Sequence, residues 1–229
     1  MSSNRVARTS IALAVAATAA LGLSACGAGE STASAADSSA SSSFGRPEPV
    51  ATIPAVPGGS TAVALDTGFT DALTQLGLTP GTVGSATLDG ATGTITFPIT
   101  GGTVTLFDRE SGYRPWVQGT LFHEGSGLSL TAGGTTVELT DFTIDPGKPA
   151  RLFGNVSVNG ELAVPSAPLF DLDGSTLNPP TTSAGSAELD GTTVELSPEA
   201  AELLNATFGT DALTGGFVVG TSTITVETE

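Results

Sequence analysis

Thr94-Ile95-Thr96-Phe97-Pro98-Ile99-Thr100-Gly101-Gly102-Thr103-Val104-Thr105-Leu106 is the stretch that decides the fold. Ile95, Phe97 and Ile99 alternate with Thr94, Thr96 and Pro98, two glycines follow, and Val104 and Leu106 resume the alternation. A period of two with a glycine turn is the signature of half-buried antiparallel strands. The pattern extends in both directions. Leu128 and Leu130 alternate before Gly133-Gly134, and Val137 and Leu139 follow it. Leu152, Val156 and Val158 lead into Asn159-Gly160, a strong hairpin signal. Near the end Val218, Gly220, Ser222, Ile224 and Val226 share one face. Between Leu139 and Phe142 the apolar phase slips by one residue, which predicts a bulge near Asp141.

Two segments read as helices. Asp66 or Thr67 caps a short one running to Leu76 and stopped by Gly77. Ser197-Pro198-Glu199 opens a second, with Ala200, Leu203, Leu204 and Phe208 on one side and Gly209 as its end. The expected fold class is all-β: an antiparallel β-sandwich or open barrel carrying two short helices. Ser85 to Gly90 partly recurs as Ser186 to Gly191, which reads as two similar hairpins or a faint duplication.

The start of the chain has a different character. Arg5 and Arg8 precede an apolar run from Ile11 to Leu23, and small residues lead into Cys26, the one cysteine. That order is a secretory signal, too short to span a bilayer comfortably. Leu23-Ser24-Ala25-Cys26 resembles the lipobox of bacterial lipoproteins, and the resemblance implies cleavage before Cys26 and lipidation of its thiol. The expected organisation is then a signal over 1–25, a lipidated Cys26 with a flexible Ser/Ala/Pro tether over 26–58, and one β-rich domain over 59–229. It implies a lipid anchor as the only membrane contact, on the extracytoplasmic face.

All 23 acidic residues lie after Cys26, against five of the seven basic ones. This argues against nucleic acid and anionic headgroups as partners. The Gly, Ala and Thr richness with a single lysine, Lys148, suggests a high-GC bacterium. Enzyme signatures are missing: one histidine rules out a His-rich zinc site, and neither a nucleophile elbow nor a phosphate-binding glycine loop occurs. The expectation is a non-enzyme. Asp171-Leu172-Asp173-Gly174-Ser175 has the spacing of part of a calcium loop, but a turn is the favoured reading.

Tyr113, Trp116 and His123, each the sole residue of its type, fall within eleven positions. Alternation places Val117, Leu121 and His123 on one face, with Trp116 and Phe122 on the other. His123 then ends an apolar face just before a loop at Glu124-Gly125-Ser126-Gly127. It is either a histidine satisfied at a sheet rim or a ligand at the mouth of an apolar cavity. Tyr113, Trp116 and Phe122 are the candidate walls.

The stretch Gly119 to Leu130 resembles the strand–His–Gly–Leu signature of HtaA-type haem-binding domains. Leu152 to Val158 is similar to that family's next strand, and Leu196 to Ala201 to its late helix start. The resemblance implies a β-rich surface module and haem as cofactor. It also implies a tyrosine at the iron near the first helix, whereas Phe69 to Leu73 contains none. The expected function is a lipid-anchored binding protein for haem or another apolar ligand. The alternative is an envelope structural or adhesion module with no small-molecule site.

Overall fold

The computed structural model describes residues 45–229; the expected signal, Cys26 and the run to residue 44 lie outside the described residues. The expected all-β architecture is found. In chain order the elements are β1 (Ala51–Ile53), β2 (Gly59–Leu65), α1 (Thr67–Gln75), β3 (Thr79–Gly84), β4 (Thr87–Asp89), β5 (Thr94–Pro98) and β6 (Gly101–Leu106). A single 3-10 turn at Arg109–Ser111 leads to β7 (Val117–Ala132), β8 (Thr135–Asp145), β9 (Arg151–Val158) and β10 (Glu161–Asp173). The chain closes with β11 (Thr181–Ser183), β12 (Ser186–Leu196), α2 (Pro198–Phe208) and β13 (Val218–Glu227).

The strands form one antiparallel sheet in the order β1-β6-β7-β8-β9-β10-β12-β13-β2-β5-β4, with β3 added to β7 and β11 to β12. A sheet this wide twists and curls rather than lying flat. The curl brings remote strands together: the Phe97 ring of β5 lies 5.2 Å from the Phe142 ring of β8, edge to face. Thr61 of β2 likewise reaches His123 of β7. The result is an open barrel whose concave face carries the core.

Both helices start and stop where their capping residues require. Asp66 Oδ1 accepts from the Gly68 N–H at 2.7 Å, and Gly77 adopts φ +67° beyond the C-terminus. Ser197 Oγ accepts from the Ala200 N–H at 2.9 Å and donates to the Pro168 carbonyl at 2.7 Å, tying α2 to β10. Leu73 of α1 and Leu204 of α2 are buried against the sheet.

The bulge expected near Asp141 is present and belongs to a longer line of bends. Register shifts fall between His123 and Gly127, between Thr140 and Thr143, and between Val164 and Ala167. Asp141 sits at φ +55°, and its carboxylate accepts from the Gly125 N–H (2.9 Å), Asn155 Nδ2 (3.1 Å) and the Thr140 hydroxyl (3.0 Å). Asn155 Oδ1 in turn accepts from the Ser166 N–H at 3.1 Å. One polar chain therefore pins the bend across β7, β8, β9 and β10. Gly154 is required at the same line, because a Cβ there would meet the Thr140 carbonyl at 2.9 Å and the Phe142 ring at 2.8 Å.

Two sequence expectations need correction. The tether does not extend to residue 58: Ala51–Ile53 pairs with β6, the Val56 N–H donates to the Gly102 carbonyl, and Val56 is 4% exposed in the core. Its prolines suggested a linker, yet proline is tolerated beside an edge strand. The segment Glu124 to Gly127 is likewise not a loop. It is the bulge inside the continuous 16-residue strand β7. The two similar hexapeptides occupy unlike places, one around the short β4 and one opening the long β12.

Candidate binding cavity

His123 lies inside the barrel, 1% exposed, and not at its rim. Its strand parity with Leu121 turns it inward, and the bulge that follows keeps Leu128 and Leu130 facing the same interior. Nδ1 lies 3.3 Å from the Phe142 carbonyl, which can only accept, so Nδ1 carries the proton and donates. Nε2 is then the acceptor, receiving the Thr61 hydroxyl at 2.8 Å. Burial pushes the ring pKa down to about 4, and the bond to the Phe142 carbonyl offsets this only in part. The imidazole is therefore neutral at physiological pH, with its tautomer set by the backbone.

Thr61 and His123 have the spacing of a nucleophile and its base. The chemistry does not follow. A ring that protonates only near pH 4 is a weak base at neutral pH, and its Nδ1–H faces a neutral carbonyl where a carboxylate would stabilise the cation.

Beside this pair the barrel encloses a cavity of about 390 Å³, within the range of small-molecule sites. Phe97, Phe142 and Phe170 form one wall, with successive ring centroids 5.2 and 6.4 Å apart. Val63, Ile95, Ile144 and Val194 continue the apolar lining. Thr61, Thr192 and Ser222 are its buried hydroxyls. The lining also takes residues from three connections at one end of the barrel: β6–β7 (Arg114, Pro115, Trp116), β8–β9 (Pro146, Gly147, Lys148) and β10–β11 (Gly174, Leu177).

The structure divides the four residues singled out from sequence. His123 and Trp116 both line the cavity. Trp116 was expected on the opposite face, but it precedes β7, so strand alternation does not govern it. Arg109 stacks over its indole at 5.4 Å and donates to the Leu177 carbonyl at 3.1 Å, bracing two of the three connections. Phe122, expected as a wall, points outward from β7 and is 40% exposed. Tyr113 is not a wall either: its ring packs 4.8 Å from Phe107, and Arg46 lies over the other partner of that pair. Proline at 115 turns the chain between Tyr113 and Trp116, and only the latter reaches the interior.

Thr61, Arg114 and Lys148 were not singled out from sequence. Thr61 carried a weak signal, a polar residue at an inward position shared with Val63 and Leu65. The two cations carried none, because nothing local says which connections meet at one mouth. Asp173 follows the turn reading, whereas Asp171 lies inside β10. Asp171 pairs with Arg151 Nε at 2.9 Å, and Asp173 accepts from the Ser175 N–H and hydroxyl. Among the described residues no group of three or more His, Cys, Asp or Glu is placed to hold a metal ion.

The architecture has solved counterparts. The C-terminal domain of HtaA from Corynebacterium glutamicum is similar with a TM-score of 0.53 at 16% identity, over 76% of this chain and 98% of that domain. HtaB of the same organism, described as a heme binding protein, aligns with a TM-score of 0.45 at 10% identity over 78% of this chain and 96% of its own. The first of these likenesses shows the fold and agrees with the resemblance in Gly119 to Leu130. No protein-family model matches the chain, and no curated protein does.

Proposed function

We propose that this protein is a non-catalytic binding protein that takes an apolar ligand, haem, into the cavity of its barrel. The observation that carries the reading is His123: a neutral imidazole whose Nδ1–H is held by a backbone carbonyl and which lines an apolar cavity, with Nε2 on the Thr61 hydroxyl. Outer hydrogen bonding of this kind orients a histidine for ligation and raises its basicity toward a metal. Bound there, haem would supply an iron centre that takes the lone pair of a neutral imidazole. Thr61 would release Nε2 by turning its hydroxyl through one side-chain rotation. The phenylalanine wall and Trp116 would cover the macrocycle faces and exclude water. The tyrosine that the family resemblance implies is absent from α1, so His123 is the one side chain of this lining suited to iron.

Titrating the purified protein with haemin tests this. Binding should shift the Soret band and quench Trp116, the single tryptophan. His123→Ala should remove the Soret shift. A spectrum identical in wild type and His123→Ala would overturn iron ligation by His123, and the absence of any shift or quenching would favour an envelope module without a small-molecule site.

The proposed setting is the extracytoplasmic face of the membrane, through a lipid on Cys26. The support is the sequence Leu23-Ser24-Ala25-Cys26 behind a basic and apolar leader. Two acyl chains give stable membrane attachment where one gives only marginal binding. Cys26→Ala should move the protein out of the membrane fraction, and an unchanged distribution would reject the anchor.

A further inference from the structure

We infer that the cavity selects ligands with an apolar body and a carboxylate head, the head seated at the mouth between Arg114 and Lys148. This rests on the reading that the barrel takes an apolar ligand, and adds which class of ligand it takes. The chain carries 23 acids against seven bases, so a random lining would show carboxylates. The observed lining contains none, and its only charged side chains are the two cations.

The carboxylates near that rim keep their charge but are turned to other donors. Asp108 Oδ1 accepts from the Glu110 N–H at 2.8 Å, Asp145 Oδ1 from the Gly147 N–H at 2.9 Å, and Asp173 Oδ1 from the Ser175 N–H at 2.9 Å. Asp171 pairs with Arg151, whose Nη1 also reaches Glu199 Oε1 at 3.3 Å. Among the described residues the ion pairs are those of Arg151, and neither Arg114 nor Lys148 forms one. Arg114 donates only to the carbonyl of its neighbour Tyr113, at 2.8 Å. Each sits on a different connection, β6–β7 and β8–β9, so the two reach the mouth from adjacent strand pairs.

Two cations without a direct ion-pair partner at the entrance of a low-dielectric cavity raise the potential locally, within a molecule whose overall field repels anions. A guanidinium offers paired donors to the two oxygens of a carboxylate, and an ammonium adds a mobile third. The apolar interior has no place for a carboxylate, so any such group stays at the mouth. A tail-in, head-out pose satisfies both halves of the site. Haem, metal-free porphyrins and long-chain acyl carboxylates share this chemistry.

The experiment uses two pairs of probes, each a free acid and its ester: metal-free protoporphyrin IX with its dimethyl ester, and 11-(dansylamino)undecanoate with its methyl ester. Binding is read from quenching of Trp116. In each pair that binds, the acid should bind about tenfold more tightly than the ester, the scale of one charge-assisted hydrogen bond at the rim. The advantage should shrink with added salt and vanish in Arg114→Gln/Lys148→Gln, whose exposed positions leave the core untouched. Equal binding of acid and ester would overturn the inference while leaving apolar binding in place. An acid preference that survives the double substitution would overturn the assignment to these two residues. If none of the four probes quenches Trp116, the inference and the cavity reading fall together.

Discussion

Acid should destabilise this protein through one buried ring, and the size of the effect follows from its environment. His123 titrates near 6.5 in the unfolded chain and at about 4 in the folded one, because burial disfavours the imidazolium. Between those values the unfolded state binds the extra proton, so stability falls as pH drops from about 6.5 toward 4 and levels off below. At 1.36 kcal/mol for each pH interval of one, the full gap is worth roughly 3 kcal/mol, of which roughly 2 is lost by pH 4.5. For a domain of this size that is a fall of about 4–8 °C in Tm. The control is His123→Gln, which keeps polar atoms near both partners and cannot titrate. Thermal unfolding of the two proteins at pH 7.0, 6.0, 5.0 and 4.5 isolates the histidine, since every other group contributes equally to both. Asp141, Asp173 and Asp190, held below the usual carboxylate range by hydrogen bonds, act at lower pH and cancel in the difference. Wild type should be the more pH-sensitive protein. Parallel curves would refute the buried, neutral state assigned to His123.

Thr61→Val removes the hydroxyl that serves Nε2 and leaves a buried acceptor unpaired, so urea unfolding should show a loss of about 1–3 kcal/mol; an unchanged midpoint would mean the bond contributes nothing. Asp141→Ala should cost about 2–4 kcal/mol, because it deletes three hydrogen bonds and leaves a Cβ residue in the left-handed region, whereas Asp141→Asn keeps tolerance of that backbone and should lose less. Equal losses for the two would show that the bend does not rest on this side chain's backbone preference. Phe122→Ser should change stability by no more than about 0.5 kcal/mol and leave haemin binding intact. Weakened binding in that variant would restore Phe122 to the site.

Features set within a few residues were legible in the sequence. Asp66 and Ser197 cap the helices they were expected to cap, Asn159-Gly160 makes its hairpin, and the one-residue slip after Leu139 marks the bulge at Asp141. Features set by closure of the sheet were not. Alternation assigns His123 to the face of Leu121, but the partner it meets there is 62 residues away, on a strand six places along the sheet. Trp116 was identified as a wall residue but assigned to the wrong face, because alternation has no force one residue outside a strand. The start of the fold was misplaced for a related reason: three residues of edge strand beside prolines have no periodicity to read, and only pairing with β6 reveals them.

The bend at Asp141 gives these pieces a common cause. Without it β7 to β10 would continue straight, and the parity that turns Leu121 and His123 inward would carry Leu128 and Leu130 to the outside. The Gly125–Asp141–Asn155–Ser166 chain shifts the phase on neighbouring strands at one level, so both halves of these long strands keep an apolar inner face. The lower half is then free to curl until β2 meets β7, and the Thr61–His123 bond records that meeting. A polar pair placed at the closure point fixes which strands face each other, at the expense of burying two groups that must satisfy one another. It also leaves a ring nitrogen beside the one large apolar space of the described barrel. The histidine that closes the fold and the histidine that would receive a ligand are thus the same residue, and any occupant that takes Nε2 must do so against the bond that holds β2 to β7.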